Sequence, residues 1–370
     1  MSQPLVTVLM TVYNGGTYLR PALESILKQT FKDLELLIIN DASTDDSLKI
    51  IRSYGDPRII VHSNAVNLGQ TKSLNVGLRL ARGKYVARMD ADDLAFSQWL
   101  KELSTFLEGN PGVAVVSAKA AVIRGQAGII RILNTPTEWP QMILKSLTFS
   151  PINHVGSVGR RNILLEMGGY DESYHVPADF HLWSRLIRQG HRLAMVPKIL
   201  VAIRFHEENQ SKMKNQEEMI KIIYDNVRHL TAYPIEEREA DLLYKLVYEV
   251  DSLDRQEFRE ALTVLESVYQ RVRPSLGVGS CVGKIFTEQA KIAYMKKIFA
   301  LIEKGCLEEI RLLSRDYINH NGRGNVFFLV WLISFGGTMI LRPVPKIYDY
   351  LQRFRMQWAL RSEIIPKWIH

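Results

Sequence analysis

The chain of 370 residues is 46% hydrophobic and 23% charged, which is typical of a globular protein long enough for two domains and excludes extended disorder. Its two cysteines, Cys281 and Cys306, have neither CxxC nor Cys/His spacing; this excludes a disulfide framework and a structural zinc site and favours a reducing, cytosolic setting. The net charge of +8 indicates an anionic partner: nucleic acid, an acidic membrane surface or a phosphorylated substrate. Nucleic acid is not predicted, because zinc-finger spacing, RNP-like aromatic motifs and helix-turn-helix signals are all missing from the sequence.

Up to about Ser211, short apolar runs alternate with amphipathic stretches. The predicted strands are "LVTVLMTVY", "LELLIIND", "RIIVHS" and "KYVARMD". The predicted helices are "TYLRPALESILKQT", "STDDSLKIIRSYG", "TKSLNVGLRLARG" and "LAFSQWLKELSTFLEG". This alternation predicts an α/β fold with a mostly parallel sheet. The first strand has no secretory signal before it, so we expect a cytoplasmic protein.

Polar side chains follow three of these strands, at the position where parallel α/β sheets bind ligands. They are Thr11, Tyr13 and Asn14 after the first strand, Asp41, Ser43 and Asp45 after the second, and Asp90 to Asp93 after the fourth. We expect all three groups to open onto one edge of the sheet. The segment "NDASTDD" has a second interpretation, a helix N-terminus capped by Ser43 or Thr44, which is compatible with a ligand at Asp41.

From about Met213 the pattern changes to long helical runs, "QEEMIKIIYDNVRHLTAY", "EREADLLYKLVYEV" and "RQEFREALTVLESVYQRV". The change predicts an α/β domain over residues 1–212 and a helical region over residues 213–370. Residues 324–341, "GNVFFLVWLISFGGTMIL", form an uncharged run of 18 residues, and basic and aromatic residues follow it. A buried helix, a surface anchor at an anionic membrane and a membrane span all fit this run. Of these we expect the anchor, which would hold the protein at the inner face of the cell membrane.

The three aspartates of "MDADD" directly follow the fourth predicted strand. Mutual repulsion makes such a cluster costly unless a cation or hydrogen-bond donors hold it. Carboxylate oxygens in a D-x-D pattern can hold Mg²⁺ or Mn²⁺, which keeps open positions for substrate phosphates. A solvated turn or a helix cap is the simpler interpretation, but a cap needs only one aspartate.

Four ordered segments resemble the family 2 glycosyltransferases, which have a GT-A fold. They are "VTVLMTVYNGGTYLRPALESILKQTFKDLELLIINDASTDDS", "NLGQTKSLNVGLRLARGKYVARMDADD", "MGGYDESYHVPADFHLWSRLIRQG" and "FHEENQS", and they cover roughly residues 4–212. The resemblance implies transfer of a sugar, with inversion, from a nucleotide diphosphate sugar in which UDP or dTDP is favoured. It further implies a glycan or lipid-linked acceptor in cell-surface polysaccharide synthesis.

The same resemblance implies roles for individual residues. Those similar to the family's nucleotide pocket are Thr11, Tyr13, Asn14, Asp41, Asn67, Lys72, Asp90 and Ala91. Those similar to its Mn²⁺ or Mg²⁺ ligands are Asp90, Asp92 and His206, with Asp92 expected to bind directly. Asp179 is similar to the catalytic base, although Ala178 stands where the family usually has glutamate. Gly168 to Tyr170 match a loop on the acceptor side, or alternatively a helix stop.

The chemistry of transfer supports these roles. A divalent cation neutralises the charge that forms on the departing diphosphate, and a carboxylate such as Asp179 takes the proton of the attacking hydroxyl. Alone, Asp179 would be interpreted as a helix N-cap. Two other functions stay open: a nucleotidyltransferase of related fold, and a catalytically silent sugar-nucleotide-binding or scaffold protein. A dehydrogenase is disfavoured because no G-x-G-x-x-G follows the first strand.

Overall fold

The structure is a computed structural model that describes residues 3–124, 128–133, 135–205 and 215–273, with single positions between 282 and 313. The chain divides into two compact units, Met1–Glu218 and Met219–His370. The boundary predicted at residue 212 falls outside the described residues and stays a prediction, as do the proposed metal ligand His206 and the apolar run over residues 324–341.

The first unit is an α/β domain. Its described strands are β1 (Val6–Val12), β2 (Leu34–Asn40), β3 (Ile59–Ser63), β4 (Tyr85–Arg88), β5 (Leu94–Ala95), β6 (Val113–Ile123), β7 (Ile129–Leu133), β8 (Val158–Arg160) and β9 (Arg192–Arg204). Its described helices are α1 (Leu19–Leu27), α2 (Ser47–Arg52), α3 (Gln70–Leu80), α4 (Trp99–Gly109), α5 (Trp139–Ser146), α6 (Arg161–Glu166) and α7 (Ala178–Arg188).

The strands form one sheet in the order β3-β2-β1-β4-β8-β6-β9-β5, and β7 pairs with β6. The first four strands are parallel, as predicted. Beyond β4 the sheet is mixed, because β8 runs antiparallel to both β4 and β6 whereas β6 and β9 are parallel. The carboxyl ends of β1, β2 and β4 therefore meet at one edge.

Strand β1 lies at the centre of the core because both of its faces are covered. Val8 and Met10 belong to one buried cluster with Leu23 of α1 and with residues of α4. On the opposite face Leu9 lies against Gly77 of α3, so close that a Cβ at Gly77 would stand 2.1 Å from a Leu9 methyl carbon. Burial on both faces explains why this strand is continuously apolar rather than alternating.

The segment after the aspartates differs from the prediction. A helix was expected from Leu94, but Leu94–Ala95 is a short strand that pairs with β9, and α4 begins only at Trp99. Side chains from α1 and from the turn that follows it explain the delay. Ser25 Oγ accepts the Ala95 N–H at 3.1 Å, and Gln29 Nε2 donates to the Phe96 carbonyl at 2.9 Å. These bonds hold the segment extended before the helix starts.

The three helices predicted in the C-terminal region are confirmed as α8 (Gln216–Leu230), α9 (Glu237–Tyr248) and α10 (Arg255–Gln270). Helix α10 begins with a reciprocal cap, in which Asp254 accepts the Glu257 N–H and the Glu257 carboxylate accepts the Asp254 N–H. Within the residues that the structure describes, no helix is both long and apolar enough to cross a bilayer.

Candidate active site

The loops that follow β1 and β2 are joined by hydrogen bonds. The Asn14 N–H donates to Ser43 Oγ at 3.1 Å, and the Thr44 N–H donates to Asn14 Oδ1 at 2.9 Å. The Gly16 N–H donates to Asp45 Oδ2 at 3.2 Å. Asn14 has a φ of 51°, a left-handed conformation that asparagine adopts more readily than most residues. The structure thus brings the first two polar groups of the sequence together.

The interpretation of Ser43 or Thr44 as a helix cap is wrong. Helix α2 begins at Ser47, its N-cap position is Asp46, and that residue makes no side-chain capping bond. Asp45 Oδ1 instead accepts the Ser47 N–H at 2.9 Å. Ser43 and Thr44 are used in the contact between the two loops.

Asp41 is 3% exposed and holds the loop that leads into α3. Its Oδ1 accepts from Asn64 Nδ2 and from the Leu68 N–H, both at 2.8 Å, and its Oδ2 accepts the Gly69 N–H at 2.9 Å. A buried carboxylate with three donors is well compensated. Asp41 therefore organises this edge of the sheet whether or not it also contacts a ligand.

The other residues of the predicted nucleotide pocket lie around the same edge. Tyr13 is 54% exposed beside half-buried Thr11. Asn67 Oδ1 accepts the Gly69 N–H at 2.9 Å, so Asn67 supports the turn before α3. Lys72 is exposed on the first turn of α3, and Ala91 is half-buried between the aspartates.

The third polar group forms a carboxylate cluster. Asp90, Asp92 and Asp93 each offer an oxygen, and these oxygens lie within 4.8 Å of one another. Asp90 and Asp92 are half-buried, whereas Asp93 is 2% exposed. Hard oxygen donors grouped at this spacing suit Mg²⁺ or Mn²⁺.

Asp93 is the least hydrated member of the cluster. Burial raises the pKa of its carboxyl well above the usual range, and the nearby charges of Asp92 and Asp90 raise it further. The Arg204 N–H at the end of β9 opposes this effect by donating to Asp93 Oδ1 at 2.7 Å, and Arg204 Nε donates to the Asp92 carbonyl at 3.0 Å. The cluster is thus tied to the strand that ends beside it.

Asp90 is held by two side chains. Arg88, the last residue of β4 and 3% exposed, forms a short ion pair with Asp90 Oδ1 and also donates to the Met89 carbonyl. Gln70 Nε2 from the start of α3 donates to the same Asp90 oxygen at 3.2 Å. Arg88 is a site residue that the sequence interpretation missed.

Asp179 lies in the first turn of α7, not at its N-cap, which is Pro177. The N-cap interpretation of Asp179 is therefore wrong. The residue is half-buried, but protein surrounds its carboxyl group, and this desolvation raises the pKa of Asp179 to about 6. The charge of Asp90 also raises this pKa, while backbone N–H groups and Arg88 lower it. Asp179 and the aspartate cluster therefore share one electrostatic environment.

The segment before α7 is fastened to α3. Asn75 Oδ1 accepts the Tyr170 N–H and Asn75 Nδ2 donates to the Tyr170 carbonyl, both at 2.8 Å. Thr71 Oγ1 donates to the Tyr174 carbonyl at 3.2 Å. Gly169 has a φ of 70°, and a Cβ there would stand 2.5 Å from Asn75 Oδ1, so this close approach requires glycine. Gly168 and Gly169 also follow the C-terminus of α6, which fits the helix-stop interpretation.

Aromatic residues line the site near Asp179. His154 Nε2 lies 2.8 Å from the Tyr170 hydroxyl, and the His154 ring meets the edge of Trp183 at 6.1 Å between centroids. Burial lowers the pKa of His154 to about 3, and the charge of Arg88 contributes, so the imidazole is neutral. His154 was also missed, since a single histidine in "SPINHVGS" gives no sequence signal.

Comparison with known proteins agrees with this architecture. The sequence model of glycosyl transferase family 2 matches residues 7–160. An uncharacterised glycosyltransferase of Haemophilus influenzae is 35% identical over 226 residues, which cover 58% of this chain and 70% of that protein. The chain belongs to glycosyl transferase family 2. The family resemblance predicted from the four sequence segments is thereby confirmed, and the protein is a glycosyltransferase.

Two further comparisons extend this result. The amylovoran biosynthesis glycosyltransferase AmsE of Erwinia amylovora is 28% identical over 215 residues, covering 57% of this family 2 chain and 80% of AmsE. The crystal structure of S. aureus TarS 1–349 in complex with UDP-GlcNAc has a TM-score of 0.53 at 17% identity, covering 86% of this chain and 93% of TarS 1–349. The second comparison concerns the fold, and the GT-A fold expected of a family 2 enzyme is confirmed.

The raised pKa of Asp179 predicts a pH dependence of stability. Between its usual value of 3.8 and about 6, the native state keeps a proton that the unfolded state has lost, so this residue lowers the free energy of unfolding as pH rises through that range. The Asp179→Asn variant lacks this titration. Its free energy of unfolding, measured by urea unfolding, should therefore rise relative to that of wild type from pH 4.5 to 7.

The matched control is Asp56→Asn. Hydrogen bonds from Arg58 hold the pKa of Asp56 below its usual range, and arginine does not titrate between pH 4.5 and 7, so this residue adds no pH dependence there. Its difference from wild type should stay level from pH 4.5 to 7. A level difference for Asp179→Asn as well would contradict the raised pKa.

Proposed function

We propose that the protein is an inverting, metal-dependent glycosyltransferase that moves a sugar from UDP- or dTDP-sugar to a glycan or lipid-linked acceptor in cell-surface polysaccharide synthesis. The observation that carries the proposal is the pairing of a carboxylate cluster at Asp90, Asp92 and Asp93 with the separate, weakly acidic carboxyl of Asp179. The aspartate cluster is suited to bind a cation together with a diphosphate, and the Asp179 carboxyl is suited to accept a proton.

Asp92 and Asp90 are the residues that would hold Mn²⁺ or Mg²⁺. Asp93 is less suited, because it is buried and its Oδ1 accepts the Arg204 N–H. When bound, the cation would neutralise charge that develops on the departing diphosphate. Cation binding would also offset the mutual repulsion of the aspartates, which gives the cluster a physical reason to bind it.

Asp179 is proposed as the general base. A pKa of about 6 leaves the carboxyl mainly ionised near pH 7 while keeping its proton affinity close to the working pH, the range in which general bases are most effective. Its carboxylate would take the proton of an acceptor hydroxyl as that oxygen attacks the anomeric carbon and the carbon–oxygen bond to the diphosphate breaks. Attack from the face opposite the diphosphate gives inversion. Ala178 has no polar side chain that could orient Asp179. The segment before α7, which is hydrogen-bonded to α3, would hold the base in position instead.

The nucleotide is proposed to lie at the edge formed by the loops after β1 and β2. Exposed Tyr13 offers a ring for stacking, and Asp41 Oδ2, which accepts the Gly69 N–H, has a further lone pair that can accept a donor from the nucleotide base. The uridine nucleotide in the TarS complex and the biosynthetic role in the name of AmsE support the proposed classes of donor and acceptor.

The metal proposal predicts that UDP binds much more weakly without a divalent cation, since Asp90 and Asp92 would then face the diphosphate with like charge. Calorimetric titration of UDP with Mn²⁺ and with EDTA measures this. Asp92→Asn should remove the Mn²⁺ effect, whereas Asp46→Asn, which removes an exposed carboxylate after β2, should keep it. Equal UDP affinity in Mn²⁺ and EDTA would contradict the metal assignment.

The base proposal predicts that Asp179→Asn lowers the rate of sugar transfer by roughly 10²–10⁴-fold, because the acceptor hydroxyl loses its proton acceptor. Affinity for the donor nucleotide should change little. A panel of nucleotide sugars scored for Mn²⁺-dependent transfer or hydrolysis identifies the donor for this assay. Near-normal transfer by the variant would reassign the role to Asp171 or Glu172, and no turnover by wild type with any donor would favour a silent binding protein.

The localisation proposal, peripheral at the inner face of the membrane, rests on the sequence of residues 324–341 and the basic segment that follows. The full chain should sediment with anionic vesicles, less with neutral vesicles, and should be released by high salt. Replacing Phe327 and Phe328 with serine should weaken this binding, because it removes apolar surface. Retention through a carbonate wash would indicate a membrane span instead, and no vesicle binding would contradict the proposal.

A further inference from the structure

A small cavity is lined by residues of β4 and α7, among others. Its volume of about 20 Å³ is sufficient for one water molecule. Most of its lining is apolar, but Arg88, Ser157, Tyr170 and Trp183 also line it. These four residues can each offer a polar atom.

Two of the polar atoms are buried donors. Arg88 Nε and Trp183 Nε1 have no hydrogen-bond partner among the described residues, although their residues are only 3% and 2% exposed. A buried donor without a partner has lost its hydrogen bonds to water and gained none in return, so it destabilises the folded state. Two residues that line the same cavity thus each carry an unsatisfied buried donor, which favours an acceptor bound in that cavity.

Two hydroxyl groups on the same cavity can complete the site. Ser157 Oγ donates to the His154 carbonyl at 2.7 Å, and the Tyr170 hydroxyl contacts His154 Nε2 at 2.8 Å. Each oxygen keeps lone pairs that can accept a further hydrogen bond. A water molecule could therefore accept from the two nitrogen donors and donate to these two oxygens, which is the usual number of partners for a buried water.

We propose that Arg88 is a positioning residue that connects Asp90 to the helix of Asp179 through one water molecule bound in this cavity. On one side Arg88 pairs with Asp90. On the other side the water joins Arg88 Nε to Trp183, which lies one turn after Asp179 on α7. The catalytic consequence rests on the proposed function, because it links the residue that faces the donor to the one that deprotonates the acceptor.

The link explains why arginine, rather than lysine, suits position 88. A guanidinium has donors in a rigid plane, so it can bind Asp90 and Met89 through Nη atoms while Nε points to a third partner. A lysine ammonium would keep a positive charge near Asp90 but lacks this fixed geometry. Arg88→Lys therefore keeps the positive charge at position 88 and removes the connection to α7.

The water itself is tested by a crystal structure of the full chain at a resolution that shows ordered waters. Density for a water within hydrogen-bond distance of both Arg88 Nε and Trp183 Nε1 is expected, and it should be lost or displaced in Trp183→Phe. A dry cavity in the wild-type crystal, or one in which either nitrogen bonds to protein instead, would overturn the proposal. This result does not depend on any catalytic assay, so it is separate from the success of the proposed function.

The positioning role is tested by kinetics of the same variants. Trp183→Phe should lower kcat for transfer by about 10-fold while KM for the donor changes less than about twofold, since the helix of the base shifts but the donor site does not. The matched control is Tyr85→Phe. Tyr85 is on β4, the strand of Arg88, but does not line the cavity, and the substitution removes its 2.8 Å hydrogen bond to Glu108 of α4. It should leave both kinetic constants unchanged.

The double variant Arg88→Lys/Trp183→Phe gives the sharpest test. Both substitutions break the same link, so the double variant should have a kcat close to that of the more impaired single variant. If the two effects multiply instead, the residues act independently and the link is refuted. If Trp183→Phe lowers stability but leaves kcat at the wild-type value, the tryptophan has only a structural role and the proposal also fails.

Discussion

The arrangement of this edge of the sheet depends on how the molecule compensates three neighbouring carboxylates. Two unit charges 4 Å apart repel by about 4 kcal/mol near a protein surface, more than an exposed ion pair returns. Arg88, which lies close to Asp90 along the chain, pairs with that carboxylate, and the Arg204 N–H at the end of β9 donates to Asp93. Arg204 comes from a distant part of the chain, and the pairing of β5 with β9 brings it to the cluster.

Three aspartates at this edge have the same side chain and three different environments. Asp41 is surrounded by amide donors and stabilises a loop. Asp90 faces a guanidinium and a side-chain amide. Desolvation disfavours the ionised form of the Asp179 carboxyl, so this group has a raised proton affinity. Differences in partners, rather than in residue type, therefore separate a structural carboxylate, a proposed cation ligand and a proposed base.

The sequence predicted the first four strands and the edge where the polar groups meet, because each signal is local: a continuous apolar run followed by polar residues. It could not predict features decided by distant partners. From the sequence alone Ser43 is typical of a helix cap, but its hydroxyl accepts the Asn14 N–H instead. Leu94 is likewise typical of a helix start, but pairing with β9 and a bond to Ser25 keep this segment extended. Arg88 gave one available signal, since a charged residue inside a strand predicted to be buried on both faces must have a partner.

Helix α3 contacts both halves of the site. The helix begins directly after the loop that Asp41 holds, and its first residue, Gln70, donates a hydrogen bond to Asp90. One to two turns later Asn75 is hydrogen-bonded to the backbone of Tyr170. A packed helix of 11 residues is stiff over this length, so its two ends cannot shift independently. In an evolving lineage, mutations at the start of α3 would therefore disturb the segment before α7 as well, so the proposed nucleotide edge and the surroundings of the proposed base would change together rather than separately.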